Sequence, residues 1–157
     1  MNRRSAAEQA RFEAALTELY ERTISFNQVL GMKVESLVPG DVRTSFEMKP
    51  ELVGHHLYGR LHGGAISAVL DAHGSLALMV DIAERHPADP ADAVMQRFAR
   101  FGTIDLRVDF LRPGLGRRFI ASAEVTRLGG RVGSTMMRLV NDEGVLVATA
   151  AAAYIVS

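Results

Sequence analysis

"GRLHGGAISAVLDAHGSLAL", residues 59 to 78, sets a His-Gly-Gly turn directly before a run of small and apolar residues and drops one carboxylate, Asp71, into that run. Glycines ahead of the run mark a helix start, and the His86-Pro87 pair must stop it, so a central helix is expected over about 64–86. The segment is apolar nearly all round. A helix of that kind has to be surrounded, and in 157 residues a sheet wrapped about it is the economical way to do so. Aspartate is seldom buried without a partner, so Asp71 asks for a reason.

The flanking sequence supplies the sheet. Upstream, "KVESLV", a Pro39-Gly40-Asp41 turn, and Val42, Thr44, Phe46 and Met48 alternating with polar residues read as a hairpin. Downstream, "TIDLRVDFL", "FIASAEVTRL", "RVGSTMMRLV" and "VLVATAAAAYIV" are four strand-like runs separated by glycine-bearing turns. Ser5-Ala-Ala-Glu8 is a capping box, and Phe12, Leu16, Leu19, Tyr20 and Ile24 recur at helical spacing, giving an amphipathic helix within residues 1–24. Ser25-Phe-Asn-Gln28 is a second capping box opening a short helix, and residues 50–63 read as a loop. The fold class is α+β: an antiparallel sheet around a long central helix, with an N-terminal helix, in one domain spanning 1–157.

Composition narrows the function classes. Net charge is zero, with 18 basic and 18 acidic residues, so the basic field of a nucleic-acid binder is missing. The charge is uneven: residues 1–96 carry 9 Lys+Arg against 13 Asp+Glu (−4), and residues 97–157 carry 9 against 5 (+4). The absence of cysteine removes disulfides and a thiol nucleophile and is compatible with a reducing cytoplasm, the expected location. Asp71, His73 and Asp81 interrupt the longest apolar stretch, so no membrane span is expected. His55, His56, His62 and Asp71 lack the i, i+4 spacing of a helical metal motif, and neither a metal nor another cofactor is expected.

Gly63 and Gly64 leave backbone N–H groups uncovered at a helix N-terminus, where free donors and the positive end of the dipole favour developing negative charge. Ser67, Asp71 and Ser75 fall at i, i+4 and i+8, a thin polar line on an apolar rod. His62 can cap the helix, orient the loop or meet substrate, while His73 points away from Asp71. Seven residues of helix separate Gly64 from Asp71 by about 10 Å, too far for both to touch one carbonyl carbon, so the amide and the acid must come from different copies of the chain. That implies a homodimer, or a dimer of dimers, with active sites at the dimer interface.

These residues resemble the HGG-motif, PaaI-type thioesterases of the hotdog fold, in which an HGG turn opens the central helix and an acid follows nine residues after the His; His62 plus nine is Asp71. "GTIDLRVDFLRPG" is similar to that family's next strand, and the longer pattern "NQVLGMKVE…LVGHHLYGRLHGG…RFGTIDLRVDFLRPGLG" resembles the bacterial YigI-type medium- and long-chain acyl-CoA thioesterases. The resemblance implies hydrolysis of an acyl-CoA, medium- to long-chain or aryl, to free acid and CoA, within fatty acid metabolism. It implies that Gly63 polarises the thioester carbonyl, that Asp71 acts as general base or nucleophile, and that Thr103 helps hold the water. His62, His55, Gly64 and Ser75 lie in the same region, and His56 stands where the family usually has an Asn that helps bind the thioester.

The residue pattern adds two expectations. Phe98, with Val94 and Met95, is a candidate for the acyl tail, and Arg112, Arg117, Arg118 and Arg131, at strand ends and turns, are candidates for the CoA phosphates. Two alternatives stay open. A hotdog acyl-thioester dehydratase or hydratase would need a His working with an acid, and no N-P-x-H signature is present. A non-catalytic acyl-CoA binding protein serving a regulator would need a DNA-binding domain, and residues 1–24 hold one helix.

Overall fold

The computed structural model describes residues 3–157, so the first two residues of the expected 1–24 helical segment lie outside the described residues. Helix α1 spans Ala6–Glu18, capped by the Ser5 hydroxyl, which accepts from the Glu8 amide at 3.2 Å. Its register then widens into a π-helical turn over Leu19–Thr23, and α2 follows at Ser25–Leu30. Ser25 is therefore the first helical residue rather than the expected cap. Gly31, with φ 73°, ends α2 in the left-handed conformation that glycine adopts without a Cβ penalty.

The strands are β1 (Lys33–Val38), β2 (Asp41–Glu47), β3 (Val53–His55), β4 (Arg60–Leu61), β5 (Gly102–Phe110), β6 (Arg118–Leu128), β7 (Val132–Asn141) and β8 (Leu146–Ile155). Six form one antiparallel sheet in the order β1-β2-β6-β7-β8-β5. β3 and β4 pair separately, so the expected loop at 50–63 holds a small hairpin. The glycines and histidines there read as turn residues, but Gly54 is needed for close approach: a Cβ at that position would meet the His62 Cα at 2.5 Å.

Helix α3, Gly63–Arg85, lies in the concave face of the sheet, and α4 (Ala91–Gln96) and a 3₁₀ turn at Arg97–Arg100 lead into β5. Val69, Leu70, Leu76 and Leu78 on α3 meet Phe46, Phe119, Met137 and Leu139 from the strands in one fully buried core. The alternation of β6 and β7 puts these side chains inward and Glu124, Met136 and Arg138 outward. The fold is the hotdog arrangement, an antiparallel sheet wrapped about a long helix.

The two edges of the sheet differ. At β1, the Glu21 carboxylate from the π turn accepts the Val34 amide at 2.8 Å, which blunts that edge. At β5 one side of a nine-residue strand is left open, with Ile104 and Phe110 exposed. Beside it runs a half-covered stripe of α3: Ala65, Ser67, Ala68, Asp71, Ala72 and Ser75.

Candidate active site

Asp71 belongs to that stripe. It is half-buried, and the carboxylate takes a 2.8 Å hydrogen bond from the hydroxyl of Thr103 on β5. Among the described residues no Arg, Lys or His forms an ion pair with it, so it is neither a core acid nor half of a structural salt bridge. The expected line Ser67-Asp71-Ser75 is present, and its two serines are locally satisfied: Ser67 donates to the Gly63 carbonyl (2.9 Å) and Ser75 to the Ala72 carbonyl (2.8 Å). Asp71 alone on that line faces outward with acceptor capacity to spare.

Two tyrosines fix the turn that carries it. The Tyr154 hydroxyl, from β8, donates to the Asp71 main-chain carbonyl at 2.9 Å, and the Tyr20 hydroxyl, from the π turn, lies 2.5 Å from Ser75 Oγ. Burial pushes both phenols well above the usual tyrosine range, with the Asp71 charge adding to the effect, so both hydroxyls keep their protons. Gly74 makes this approach possible, because a Cβ there would stand 2.3 Å from the Tyr154 oxygen and 2.6 Å from the Met137 sulfur. Neither tyrosine was legible as a site residue. Tyr154 follows a run of alanines that reads as strand, and only the β8 register brings it beneath α3.

At the other end of the stripe, His62 caps α3. Its Nδ1 accepts the Gly64 amide at 2.8 Å, which fixes that nitrogen as the unprotonated one and answers one of the orphan donors of the first turn. The Gly63 N–H has no hydrogen-bond partner among the described residues and opens beside the Phe110 ring, which lies 3.2 Å from where a Gly63 Cβ would be. Gly63, Ile66, Phe110 and Arg112 line a cleft of about 410 Å³. A free amide at a helix N-terminus can donate to the oxyanion of a carbonyl under attack.

The other expected residues divide. His55 stacks on Tyr58 (ring centroids 4.7 Å apart) and lies parallel to His56 (5.8 Å), with His56 exposed on the hairpin that ends at the HGG turn. Arg112 reaches the Gly63 cleft and donates to the Leu146 carbonyl at 3.1 Å. Arg117 leans toward Asp142 (3.8 Å), and Arg118 pairs with Glu35 (2.6 Å) and reaches Glu47 (3.7 Å), its cross-strand neighbour. The Ser45 hydroxyl and then the Arg118 guanidinium hold the Glu35 carboxyl below its ordinary range. Arg131 sits in the β6–β7 turn, at the opposite end of the sheet from Arg117 and Arg118. The expected arginines are therefore not one cluster within the chain, because Arg131 stands at the far end of β6 and Arg117 and Arg118 face Asp142, Glu35 and Glu47. Phe98 is in the core, 7% exposed, its ring 6.4 Å from Phe12 and 6.0 Å from Phe101. His73, as expected, turns away from Asp71: it is fully buried, with Nδ1 2.8 Å from the Thr44 hydroxyl.

Comparison with known proteins leads to thioesterases. Residues 58–148, from the β3–β4 hairpin to β8, match the family model of the thioesterase superfamily. Over 139 residues the chain is 37% identical to the medium/long-chain acyl-CoA thioesterase YigI of Escherichia coli K12, covering 88% of this chain and 90% of that one. A crystal structure from Shewanella oneidensis, described as related to the thioesterase superfamily, superposes with a TM-score of 0.89 at 32% identity over 98% of this chain and 100% of that one. The Escherichia coli PaaI protein of the phenylacetic acid degradation operon shares the fold at 19% identity, with a TM-score of 0.72 over 97% and 95% of the two chains. With a family match across the HGG turn, the Asp71 turn and Thr103 alike, the chain belongs to the thioesterase superfamily and is a thioester hydrolase.

Proposed function

We propose that the protein hydrolyses medium- to long-chain acyl-CoA thioesters to the free acid and CoA, at a site made by two copies of the chain. The observation that carries this reading is the Thr103–Asp71 hydrogen bond on the uncovered stripe of α3, on the same helix as the unpartnered Gly63 amide but far along it. The acid faces the open β5 edge, and Ile104 and Phe110, at 54% and 57% exposure, are apolar surface that a second β5 would cover. Antiparallel pairing of two β5 edges sets the start of one strand, with Thr103 and Asp71, beside the end of the other, with Phe110 and Gly63.

In this site the Gly63 N–H of one copy receives the thioester oxygen, and Asp71 of the other faces the carbonyl carbon. As a base, Asp71 takes a proton from water while the hydroxide adds to carbon. The tetrahedral oxyanion is held at Gly63 until the C–S bond breaks and the CoA thiolate leaves, to be protonated from solvent. As a nucleophile, the Asp71 carboxylate adds to the carbonyl carbon and the C–S bond breaks to expel the CoA thiolate; water then cleaves the resulting mixed anhydride to the free acid and the regenerated carboxylate. Thr103 orients the carboxylate in either case, and Arg112, at the mouth of the Gly63 cleft, is the expected arginine best placed to meet a CoA phosphate. Cytoplasmic location and a role in fatty acid metabolism go with this substrate.

The test is a hydrolysis screen over acyl-CoAs of graded chain length, with the released thiol detected, on the wild type and Asp71→Asn. Turnover that rises with medium and long chains and falls on the order of a hundredfold in Asp71→Asn is expected. Near-normal turnover in the variant would remove Asp71 from the chemistry, and no hydrolysis of any acyl-CoA by the wild type would remove the substrate.

A further inference from the structure

A second cavity lies at the far end of α3 from the HGG turn. It encloses about 450 Å³ between the last turn of that helix, the 3₁₀ turn Arg97–Arg100, the β6–β7 turn and the end of β8. Its floor is apolar, made by Ile82, Leu128 and Val156 at 6%, 8% and 7% exposure. Its rim is cationic: Arg85 comes from α3, and Arg97 and Arg100 from the 3₁₀ turn, where residues three apart stand on one side. Among the described residues no Asp or Glu lines it.

The fold leaves two of these charges without a partner. Arg97 pairs with Asp89 at 2.5 Å, and His86, also on the rim, lies 3.9 Å from the same carboxylate. Among the described residues the side chains of Arg85 and Arg100 form neither an ion pair nor a hydrogen bond, with Ser157 at the rim included. Asp81, one turn back from Arg85, lines a different hollow beside the Gly40 turn. A cationic rim over an apolar floor matches an amphiphilic anion. A bare phosphate would leave the floor in water, and a neutral chain would make no use of guanidinium groups whose planar forks suit a carboxylate.

We propose that this cavity binds a free aliphatic carboxylate of medium chain length, its head on Arg85 and Arg100 and its tail over Ile82, Leu128 and Val156. The volume falls in the range of small-ligand sites, and a mostly apolar lining with a few convergent charges is their usual build. Ile82 lies about 16 Å along α3 from Asp71 and Arg85 about 21 Å, so the cavity stands apart from the reacting carbonyl. The ligand class follows from the cavity alone. That the enzyme's own product supplies it rests on the function proposed above, since hydrolysis of a medium- to long-chain acyl-CoA releases such an acid.

Calorimetric titration of the full chain tests this, with acetate, octanoate, decanoate and decyltrimethylammonium as probes below their micelle-forming concentrations and with the active site filled by a non-hydrolysable thioether, decyl-CoA. Decanoate is expected to bind once per chain and roughly 4- to 15-fold tighter than octanoate, from two more methylenes over the floor. Acetate, which has no tail, and the ammonium, which has the wrong charge, are expected to give no binding heat. Arg85→Glu and Arg100→Glu are each expected to weaken decanoate on the order of tenfold or more while the KM for decanoyl-CoA stays within about twofold. Both residues are exposed, and thermal melts confirm the fold of each variant. Four results overturn the proposal: no decanoate binding, displacement of decanoate by the thioether, ammonium binding as tight as decanoate, or an affinity that neither reversal changes. A KM that rises in step with the loss of decanoate overturns it too, because the arginines then belong to the CoA phosphates. Binding is read without turnover, so a protein that hydrolysed no acyl-CoA would refute the proposed function while the titrations still decided the cavity.

Discussion

Gly63 and Asp71 lie eight residues apart on one helix, about 12 Å at 1.5 Å per residue, whereas groups acting on one thioester carbon must each approach to about 3 Å. If both act, they act from different chains, and two dead variants can rescue each other. Gly63→Pro removes the amide, and the backbone accepts it: Gly63 is the first helical residue, where proline is favoured, and His62 before it has φ −66° and ψ 134°, the extended conformation that a following proline requires. The ring would press on Phe110, which is 57% exposed and can move aside. Asp71→Asn keeps an oxygen for the Thr103 hydroxyl. In a heterodimer of the two, one site carries both lesions and the other neither. Random mixing makes half of all active-site dimers heterodimers, each with one intact site of two, so about a quarter of wild-type activity returns; heterodimers isolated through two different tags show about half. The assay is acyl-CoA hydrolysis after co-expression. A dead mixture of folded, demonstrably exchanged subunits would refute the shared site, since a site within one chain leaves every chain with a lesion.

Thr103→Val removes the hydrogen bond to the Asp71 carboxylate; bonds to charged groups contribute about 1.5–3 kcal/mol, so kcat should fall roughly 10- to 150-fold with little change in KM. A loss under twofold would show that Asp71 needs no orienting hydroxyl. Phe98→Ala opens a core cavity against Phe12 and Phe101 and is expected to cost about 3–5 kcal/mol in denaturant unfolding with an unchanged chain-length profile. A shifted profile at wild-type stability would return Phe98 to the acyl tail. Burial lowers the His73 imidazole from 6.5 to about 4. Below about pH 6.5 the unfolded chain binds a proton that the folded one refuses, so this residue's contribution is intact above that pH. It is lost as pH falls toward 4, on the order of 3 kcal/mol in all. His73→Leu should therefore gain on the wild type in urea midpoints measured from pH 7 to pH 4.5, and a difference that does not change with pH would refute the assignment.

The sequence by itself determined the elements and the place of the candidate residues on them. Periodicity is a local property, so the switch from 3.6-residue to two-residue spacing placed α3 and the long strands, and the HGG turn with an acid nine residues on was readable because helix geometry turns spacing into position. It also placed Thr103 at the start of the strand after the helix. What it left open depends on residues far apart in the chain meeting in space. Asp71 looks like an acid inside an apolar rod; only the tertiary structure reveals that the six-stranded sheet stops at β5 and leaves its stripe uncovered. Arg118 looks available for a phosphate until the β2–β6 register sets it beside Glu47 and Glu35, and Phe98 looks like a substrate contact until α1 folds back over it. Tyr20 and Tyr154 are aromatic residues like any other in the sequence, and become supports of the Asp71 turn because a π turn and a strand register aim their hydroxyls at α3. Ion pairs, burial and second-layer hydrogen bonds require both partners at once, and strand order, which no single segment encodes, decides who the partners are.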